Sequence, residues 1–369
     1  MKSFIKKLYT VNSRNIFYIN FEIDDFQIID DNEKLKDFFD NYFLLNIDKN
    51  KKIYVFLDEI QYVKNWEKFV NSLLAKFSGN IEIFISWSNA NLLSSELSTY
   101  LSGRYIEFLI VPFMFEEYVS FTKHNTDYIN YLRNTWLPEW IKLSKLEDKE
   151  ILINYFKSLK NTIILKDIVS RYKIKDIFLL ETLFDFLIDN IWNLFSLNSI
   201  TKKLKSQNII TNHNTIWSYL YYLENVFLIY WVHRYDLKGK KILEVEKKYY
   251  INDLWFRNYT FSEYDLWMGK HLENYVFLLL KKYWFEIFVW KIKDLEIDFI
   301  ATKWDKKLYI QVSYDISNEE VFEREIKPFF EFEEKWVFYL ITFDDKFNWI
   351  HKWINITNIN KFESLIGIW

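Results

Sequence analysis

The chain has 369 residues, of which 50% are hydrophobic and 21% aromatic, so it can fill two or three folded domains and is too apolar for disorder. Its formal net charge of −3 excludes a uniformly basic nucleic-acid binder, although a local basic patch remains compatible with it. It has no cysteine, which excludes disulfides and thiolate metal sites, and no apolar run reaches the length of about 18 residues that a membrane span needs.

Residues 1–115 are predicted to alternate strands and helices. Three near-continuous apolar runs have the character of strands buried on both faces: Ile16–Glu22, Lys52–Asp58 and Ile81–Ser86. Helical patterns occupy the intervals after the first and second runs, at Glu33–Leu44 and Trp66–Phe77. This order predicts an α/β fold with a parallel sheet and helices on its faces.

The remainder of the chain divides into three predicted regions. Residues 116–164 are predicted to form a helical lid or linker, and residues 165–244 a second helical region. Residues 245–369 return to strands, with helices at His271–Lys282 and Ser317–Phe330, which predicts a C-terminal α/β domain. Without a signal peptide or an apolar span, we expect a cytoplasmic protein that does not engage a membrane.

The second buried strand ends in two acidic residues, Asp58 and Glu59. Open α/β sheets bind their ligands at the carboxyl ends of the strands. In nucleoside triphosphatases an acid at this position holds Mg²⁺, usually through water, and a second acid can polarise the attacking water. A strand that simply meets a solvated turn would give the same pattern.

Longer stretches of the chain resemble AAA-superfamily ATPases of archaea and bacteria that carry a C-terminal domain of unknown function. They run in the right order through nearly the whole sequence: "YINFE", "FLDEIQYVKNWEKFV", "SNANLLSSELSTYLSGRYIEFLIVPFMFEEYVSF", "LPE", "YYINDLWFRN", "LEN" and "EIDFIA". The resemblance implies ATP and Mg²⁺ as ligands, with Asp58 and Glu59 in the Walker B motif. It also implies that Ser88 and Asn89 lie near the γ-phosphate. Arg104 would then either sense the phosphate or form a structural ion pair.

The phosphate-binding loop of such ATPases has no counterpart in the sequence. No G-x-x-x-x-G-K-[ST] motif occurs, and the pairs Gly239-Lys240 and Gly269-Lys270 are followed by Lys and His. Because residues 1–9 resemble the helix that follows this loop in the family, we expect the chain as given to lack the first strand and the loop. We therefore expect it to bind ATP weakly or not at all.

The region 165–244 contains a predicted helix-turn-helix, followed by a possible β-hairpin, and the resemblance also implies a winged-helix-like module there. The start of the second helix carries side chains that can reach base edges: Asn212, His213, Asn214 and Ser218. Nearby lysines can contact phosphates: Lys202, Lys203, Lys205, Lys240 and Lys241. A helical packing module with solvated lysines is the alternative to DNA binding.

The C-terminal region, residues 245–369, resembles the PD-(D/E)XK nuclease fold, in which two or three acids bind Mg²⁺ and a lysine stabilises the attacking hydroxide. Glu273 and Asp298 match the first two acidic positions. Gln311 stands in place of the third acid and Ser313 in place of the lysine, so the site is expected to lose a negative charge and its cation. A degenerate nucleic-acid-binding or scaffolding domain is therefore favoured over an active nuclease.

Tryptophan and glycine have unusual frequencies in this chain. It contains 16 tryptophans and 5 glycines, whereas about 7% glycine is usual. Four tryptophans stand where glycine is favoured: Trp87, Trp255, Trp284 and Trp304. Some bacteria read UGA as glycine, and translating UGA as tryptophan would produce this pattern, although Trp66 in "NWEK" matches a true tryptophan of the family.

Three functional interpretations remain open at this level. The first is an AAA-type ATPase, impaired in the chain as given, whose Mg²⁺-dependent hydrolysis drives rearrangement of the appended domains. The second is a non-enzymatic DNA- or protein-binding module, and the third is a metal-dependent nuclease. The sequence does not indicate an oligomeric state.

Overall fold

A computed structural model describes residues 5–8, 13–48, 50–88, 101, 103–123, 126–134, 136–143, 149–236, 241–260, 267–292, 295–332, 336–344 and 346–367. The chain divides into two compact units, an N-terminal unit of residues 1–107 and a C-terminal unit of residues 108–369. Among the described residues, none of the helices combines the length and the apolar character needed to cross a bilayer.

The N-terminal unit is built on a three-stranded sheet. Its strands are β1 (Ile16–Asn20), β2 (Ile53–Asp58) and β3 (Ile81–Ile85), in that order. Both strand pairs are parallel, which confirms the predicted sheet. The apolar side chains of β2 are buried because the strand is central, whereas most of the edge strand β3 is only half-buried.

Two helices follow the first two strands of this sheet, as the sequence predicts. Helix α1 (Asn32–Phe38) begins at Asp31, whose carboxylate accepts a hydrogen bond from the Lys34 amide at 2.9 Å, and it continues as a π-helical turn over Phe39–Leu44. Helix α2 (Trp66–Lys76) buries its apolar stripe against the sheet, including Trp66. These contacts form one apolar core under the sheet.

The C-terminal unit begins with helices, again as predicted. They are α3 (Phe115–Thr122), α4 (Tyr128–Arg133), α5 (Pro138–Leu143), α6 (Lys149–Thr162), α7 (Ile177–Asp189), α8 (Leu197–Ser206) and α9 (His213–Asn225). Further along the chain lie α10 (Trp255–Thr260), α11 (Met268–Lys282), α12 (Glu319–Ile326) and α13 (Ile359–Ile366). Helix α11 is almost entirely buried and packs against the strands of this unit.

A nine-stranded mixed sheet runs through the C-terminal unit. Its strands are β4 (Leu194–Phe195), β5 (Ile229–Asp236), β6 (Lys241–Ile251), β7 (Glu286–Ile292), β8 (Leu295–Lys303), β9 (Lys306–Val312), β10 (Val337–Thr342), β11 (Trp349–His351) and β12 (Ile354–Asn358). The spatial order is β11-β12-β10-β9-β8-β7-β5-β6-β4. The sequence did not predict β11, β12 or α13.

The region predicted to be winged-helix-like contains the expected two helices and strand pair, but the two strands belong to the large mixed sheet. Helices α8 and α9 contact each other and are followed by the antiparallel pair β5 and β6. Both strands are integrated into the nine-stranded sheet, because β5 also pairs with β7 and β6 with β4. The assignment of a winged-helix module remains a prediction.

Three tryptophans adopt the left-handed backbone conformation that favours glycine. Trp284 (φ 66°) follows α11, where its amide and that of Phe285 bond back to Lys281 and Leu280, the pattern of a Schellman cap. Trp304 (φ 54°) is the first residue of the two-residue turn between β8 and β9. The third, Trp192 (φ 75°), was not anticipated.

The other two tryptophans named from the sequence behave differently. Trp255 begins helix α10, so the expectation of a glycine-type turn there is wrong. Trp87 has no positive φ and packs partly buried against the core of the N-terminal unit. A glycine preference is therefore supported at some tryptophan positions and not at others.

Candidate functional site

The paired acids lie at the carboxyl edge of the parallel sheet. Asp58 is the last residue of β2 and stands opposite Asn20, the last residue of β1. The register of β2 and β3 pairs Leu57 with Ile85, so Ser86 follows next to Asp58. The ends of all three strands therefore lie at one edge of the sheet, and ligand binding at this edge remains a prediction.

Two hydroxyl groups hold the Asp58 carboxylate in place. The Ser86 hydroxyl donates to Oδ1, and the Tyr18 hydroxyl donates to Oδ2 at 3.0 Å. Burial, reinforced by this bond to Asp58, raises the pKa of Tyr18, so the phenol remains a donor at neutral pH. An ionised carboxylate offers about four lone-pair sites, so Asp58 keeps acceptor capacity for a further ligand.

Glu59 is held in a strained conformation immediately after the strand. It has φ 58° and ψ 46°, a left-handed geometry that is uncommon for residues other than glycine and that clusters at functional sites. Its backbone amide donates to Ser86 Oγ at 3.3 Å. The Glu59 side chain lies next to Gln61, whose Nε2 donates to Glu59 Oε2.

Gln61 joins the paired acids to the end of the third strand. Its Nε2 atom also donates to Ser88 Oγ at 3.2 Å, while its Oε1 atom is buried and has no hydrogen-bond partner among the described residues. An unpartnered buried carbonyl oxygen of this kind costs free energy unless a ligand or water satisfies it. Glu59, Gln61 and Ser88 therefore form a polar chain beside Asp58.

The residues predicted for this site are not all placed by the structure. Ser88 lies beside Gln61, whereas Asn89 is outside the described residues. Arg104 is exposed, and its side chain makes no ion pair with another described residue. Sequence reasoning missed Tyr18, Ser86 and Gln61. A polar residue at each strand end would have been the signal for Ser86, but nothing in the local pattern marks Tyr18.

A second polar cluster lies in the C-terminal unit, around the residues that match the nuclease pattern. Glu273 on α11 and Asp298 on β8 are brought together there. Between them lies Lys248 of β6, whose side chain has no exposed surface. Its Nζ atom is 2.7 Å from Glu273 Oε1, 2.9 Å from Glu296 Oε1 and 3.2 Å from Asp298 Oδ1. We call these four residues the Lys248 cluster.

The Lys248 cluster corrects the sequence-based expectation that this region has lost its cation and an acid. Lys248 supplies a positive charge from another strand, and Glu296 supplies a third carboxylate. Gln311 does not offer its carbonyl oxygen to a ligand, because Oε1 accepts from the Asp298 amide at 3.2 Å and Nε2 donates to Glu325 at 2.9 Å. The Ser313 hydroxyl donates to the Asp315 carbonyl at 3.2 Å.

The protonation of the cluster follows from burial and charge. Burial opposes the charged form of Lys248, yet Glu273 and the other carboxylates raise its pKa well above the usual value. Burial also opposes ionisation of Glu273, but Lys248 and Lys270 outweigh it and lower the pKa of that carboxyl. Burial and the neighbouring Glu273 raise the pKa of Asp298 to about 7. The described residues contain no group of three or more His, Asp or Glu arranged to hold a metal ion.

The residues predicted to contact DNA lie on the surface of α8 and α9. Lys202, Lys203 and Lys205 are exposed on α8, and His213 and Asn214 are exposed at the start of α9. Asn212 caps α9, with its Oδ1 atom accepting from the Thr215 amide at 3.0 Å, so that oxygen is already engaged. Lys240 and the side chain of Lys241 are outside the described residues, and Ser218 is half-buried.

Comparison with known proteins identifies the N-terminal part. Residues 1–119 match a family described as an AAA domain, and residues 125–262 match a domain of unknown function. A protein of Haemophilus influenzae is 35% identical over 311 residues, which span 83% of this chain and 76% of that protein. A protein of Methanocaldococcus jannaschii is 32% identical over 336 residues, which span 85% of this chain and 72% of that protein. Both relatives are named as uncharacterised proteins. The chain belongs to the same family as these two proteins, and its N-terminal part is an AAA domain, of an ATPase-like domain family.

Proposed function

We propose that the N-terminal unit forms the acidic half of a Mg²⁺–ATP hydrolysis site. The observation that carries this proposal is the Asp58 carboxylate, fixed by Ser86 and Tyr18 at the carboxyl edge of a parallel sheet. The strained backbone of Glu59 is a second support. Such strained residues persist only where the surrounding structure holds them in place, and they cluster at active sites. Both features lie in the region that matches an AAA domain.

The roles of the two acids follow from their surroundings. Asp58 has acceptor capacity for a hydrated Mg²⁺, which would neutralise phosphate charge when bound. Glu59 is positioned to accept a proton from an attacking water, with Gln61 orienting its carboxylate through a direct hydrogen bond. Ser88 and Gln61 Oε1 provide further polar atoms next to the nucleotide.

The 369-residue sequence contains no phosphate cradle for this site. No glycine-rich phosphate loop occurs in the sequence, so the backbone N–H groups and the lysine that hold the β- and γ-phosphates are not supplied by it. The edge strand β3 is half-buried and, within the described residues, pairs only with β2. Its free side would accept a further parallel strand that carries such a loop.

The test compares ATP binding and hydrolysis by this chain with those of a longer form that carries a phosphate loop before residue 1. We expect the chain alone to bind Mg²⁺–ATP weakly, and a product that contains a phosphate loop to hydrolyse ATP. Asp58→Asn and Glu59→Gln should each abolish that hydrolysis, whereas the exposed Asp25→Asn should not. Micromolar ATP binding by the chain alone, or hydrolysis that survives both substitutions, would contradict the proposal.

DNA binding by the C-terminal unit is a second candidate function. The three exposed lysines of α8, close to the exposed start of α9, favour it. In a gel-shift assay, binding should weaken with rising salt and vanish in Lys202/Lys203/Lys205→Ala. The control Lys36/Lys68/Lys361→Ala removes the same charge from exposed positions elsewhere and should leave binding intact. No shift at low salt would end this interpretation.

A further inference from the structure

We propose that the buried ammonium group of Lys248 takes the place that a divalent cation has in PD-(D/E)XK-type sites. The carboxylates of Glu273 and Asp298, which match the metal-binding acids of that pattern, both contact Lys248 Nζ, at 2.7 Å and 3.2 Å. The Lys248 cluster is then a centre that is complete without a metal ion and has no nuclease activity.

The hydrogen-bonding capacity of the ammonium group matches the cluster. A lysine ammonium has three N–H donors, and Lys248 has three carboxylates within 3.2 Å, one each from Glu273, Glu296 and Asp298. All three donors therefore have a carboxyl oxygen as acceptor. A metal ion at this point would have to displace a side chain that has no exposed surface.

The charges of the surrounding side chains also balance without a metal. Lys270 Nζ lies 3.0 Å from Glu273 Oε2, and Lys291 Nζ lies 3.2 Å from Glu296 Oε2. With Lys248, three ammonium groups face the three carboxyl groups of the cluster, so the acids do not outnumber the cations. A divalent cation added to this set would meet no net negative charge, and an uncompensated buried charge is strongly disfavoured.

Further hydrogen bonds engage the acids of the cluster and Gln311. Asp298 Oδ2 accepts from the Val312 amide at 3.0 Å, and Glu273 Oε1 accepts from the Tyr250 hydroxyl at 2.9 Å. The Gln311 carbonyl oxygen, at the third acidic position of the nuclease pattern, accepts from the Asp298 amide. These hydrogen bonds join β6, α11, β8 and β9, and a metal ion would compete with them for the same oxygen atoms.

The inference predicts that replacing Lys248 by a neutral residue uncovers a divalent-cation site. Mn²⁺ binding is measured by isothermal titration calorimetry, with Asp58→Asn as the common background so that the acids of the N-terminal unit do not contribute. With Lys248 present we expect no Mn²⁺ binding that depends on Asp298. Lys248→Met should bind Mn²⁺ at least tenfold more tightly than the protein with Lys248 does. Lys248→Met/Asp298→Asn should lose that gain in affinity.

A matched control removes a partly exposed lysine that borders the Lys248 cluster. Lys270→Met also removes one positive charge but leaves Lys248 in place, so it should not gain the Mn²⁺ site. If Lys248→Met does not fold alone, Mn²⁺ added during refolding should restore its native circular dichroism. Failure of Mn²⁺ to bind or to restore Lys248→Met would overturn the inference. So would Mn²⁺ binding or plasmid nicking by the protein with Lys248 intact, if Asp298→Asn abolishes either.

Discussion

Lys248 Nζ and Glu273 Oε1 are 2.7 Å apart, and both side chains are buried, although one comes from strand β6 and the other from helix α11. The contact therefore joins the sheet of the C-terminal unit to its central helix. Removing one partner of such a pair leaves an uncompensated charge in the interior, which costs more than removing both.

The contribution of this ion pair to the stability of the protein can be tested by comparing a single variant with a double variant. Lys248→Met alone should lower the free energy of unfolding by about 3–5 kcal/mol, because three carboxylates lose their shared cation. Lys248→Met/Glu273→Gln should recover part of that loss, since one of the acids is neutralised. Urea unfolding in metal-free buffer, followed by circular dichroism, measures both changes. A double variant as unstable as Lys248→Met would show that the two charges do not act as a pair.

Replacing Trp304 by glycine should stabilise the protein. Trp304 is 85% exposed and has φ 54°, so its side chain contributes little packing while its backbone is strained. Relief of a left-handed conformation should raise the free energy of unfolding by about 1 kcal/mol. Trp217→Gly is the control. It is also partly exposed but lies within helix α9, where glycine should cost about 1 kcal/mol. Thermal denaturation gives both values, and a destabilised Trp304→Gly variant would refute the glycine-type turn.

Glu59→Gly should raise the stability of the protein and abolish its ATP hydrolysis. Glycine adopts the left-handed conformation of residue 59 without strain, so the free energy of unfolding should rise by about 1 kcal/mol. Hydrolysis of ATP by the form that carries a phosphate loop should be lost, because the proposed proton acceptor is gone. Asn65→Gly is a control with a similar backbone (φ 54°) away from the acids, and it should retain hydrolysis. Equal activity of the two variants would exclude a catalytic role for Glu59.

His271 should make the stability of the C-terminal unit depend on pH. Burial, with a smaller contribution from the Arg257 guanidinium, lowers the pKa of His271 from 6.5 to about 3. The unfolded chain therefore takes up a proton below about pH 6.5, whereas the folded chain does so only near pH 3. His271 therefore does not reduce the free energy of unfolding above pH 6.5. Below pH 6.5 it lowers this free energy by about 1.4 kcal/mol per pH unit.

The measurement compares wild-type protein with His271→Gln by urea unfolding between pH 4.5 and pH 7.5. The glutamine variant lacks the titrating imidazole, so its stability should decline less steeply between pH 6.5 and pH 4.5. The difference between the two proteins should change by about 2–3 kcal/mol over this interval. Parallel profiles would show that the pKa of His271 is the same in the folded and unfolded chains.

The N-terminal sheet and its acidic edge were predictable from local pattern. Continuous apolar runs at Ile16–Glu22 and Lys52–Asp58 indicate strands covered on both faces, and the intervening helices require parallel connections. The ends of such strands share one edge, so Asp58 was placed without coordinates. Tyr18 was not, because its side chain reaches Asp58 from a neighbouring strand, and cross-strand register is a property of the folded sheet.

The Lys248 cluster was not predictable in the same way. In "EVEKKYY", Lys248 has the local pattern of a solvated lysine on a strand, and Glu296 that of an exposed residue at the start of the next hairpin. Whether such charges are solvated or paired depends on which strands become neighbours, and β6 enters the same sheet as β8 only in the tertiary structure. The nuclease-like pattern alone therefore suggested a site without a cation, which is wrong.

By itself, the sequence determined the parallel N-terminal sheet, the acids at its edge and the unusual tryptophan positions at Trp284 and Trp304. These depend on hydrophobic periodicity and on backbone preferences, which act over a few neighbouring residues. Only the tertiary structure decided that Ser86 and Tyr18 hold Asp58 and that Lys248 contacts three acidic side chains. Hydrogen bonds and buried charges are compensated between side chains far apart in the chain, so their partners are fixed by packing and not by local sequence.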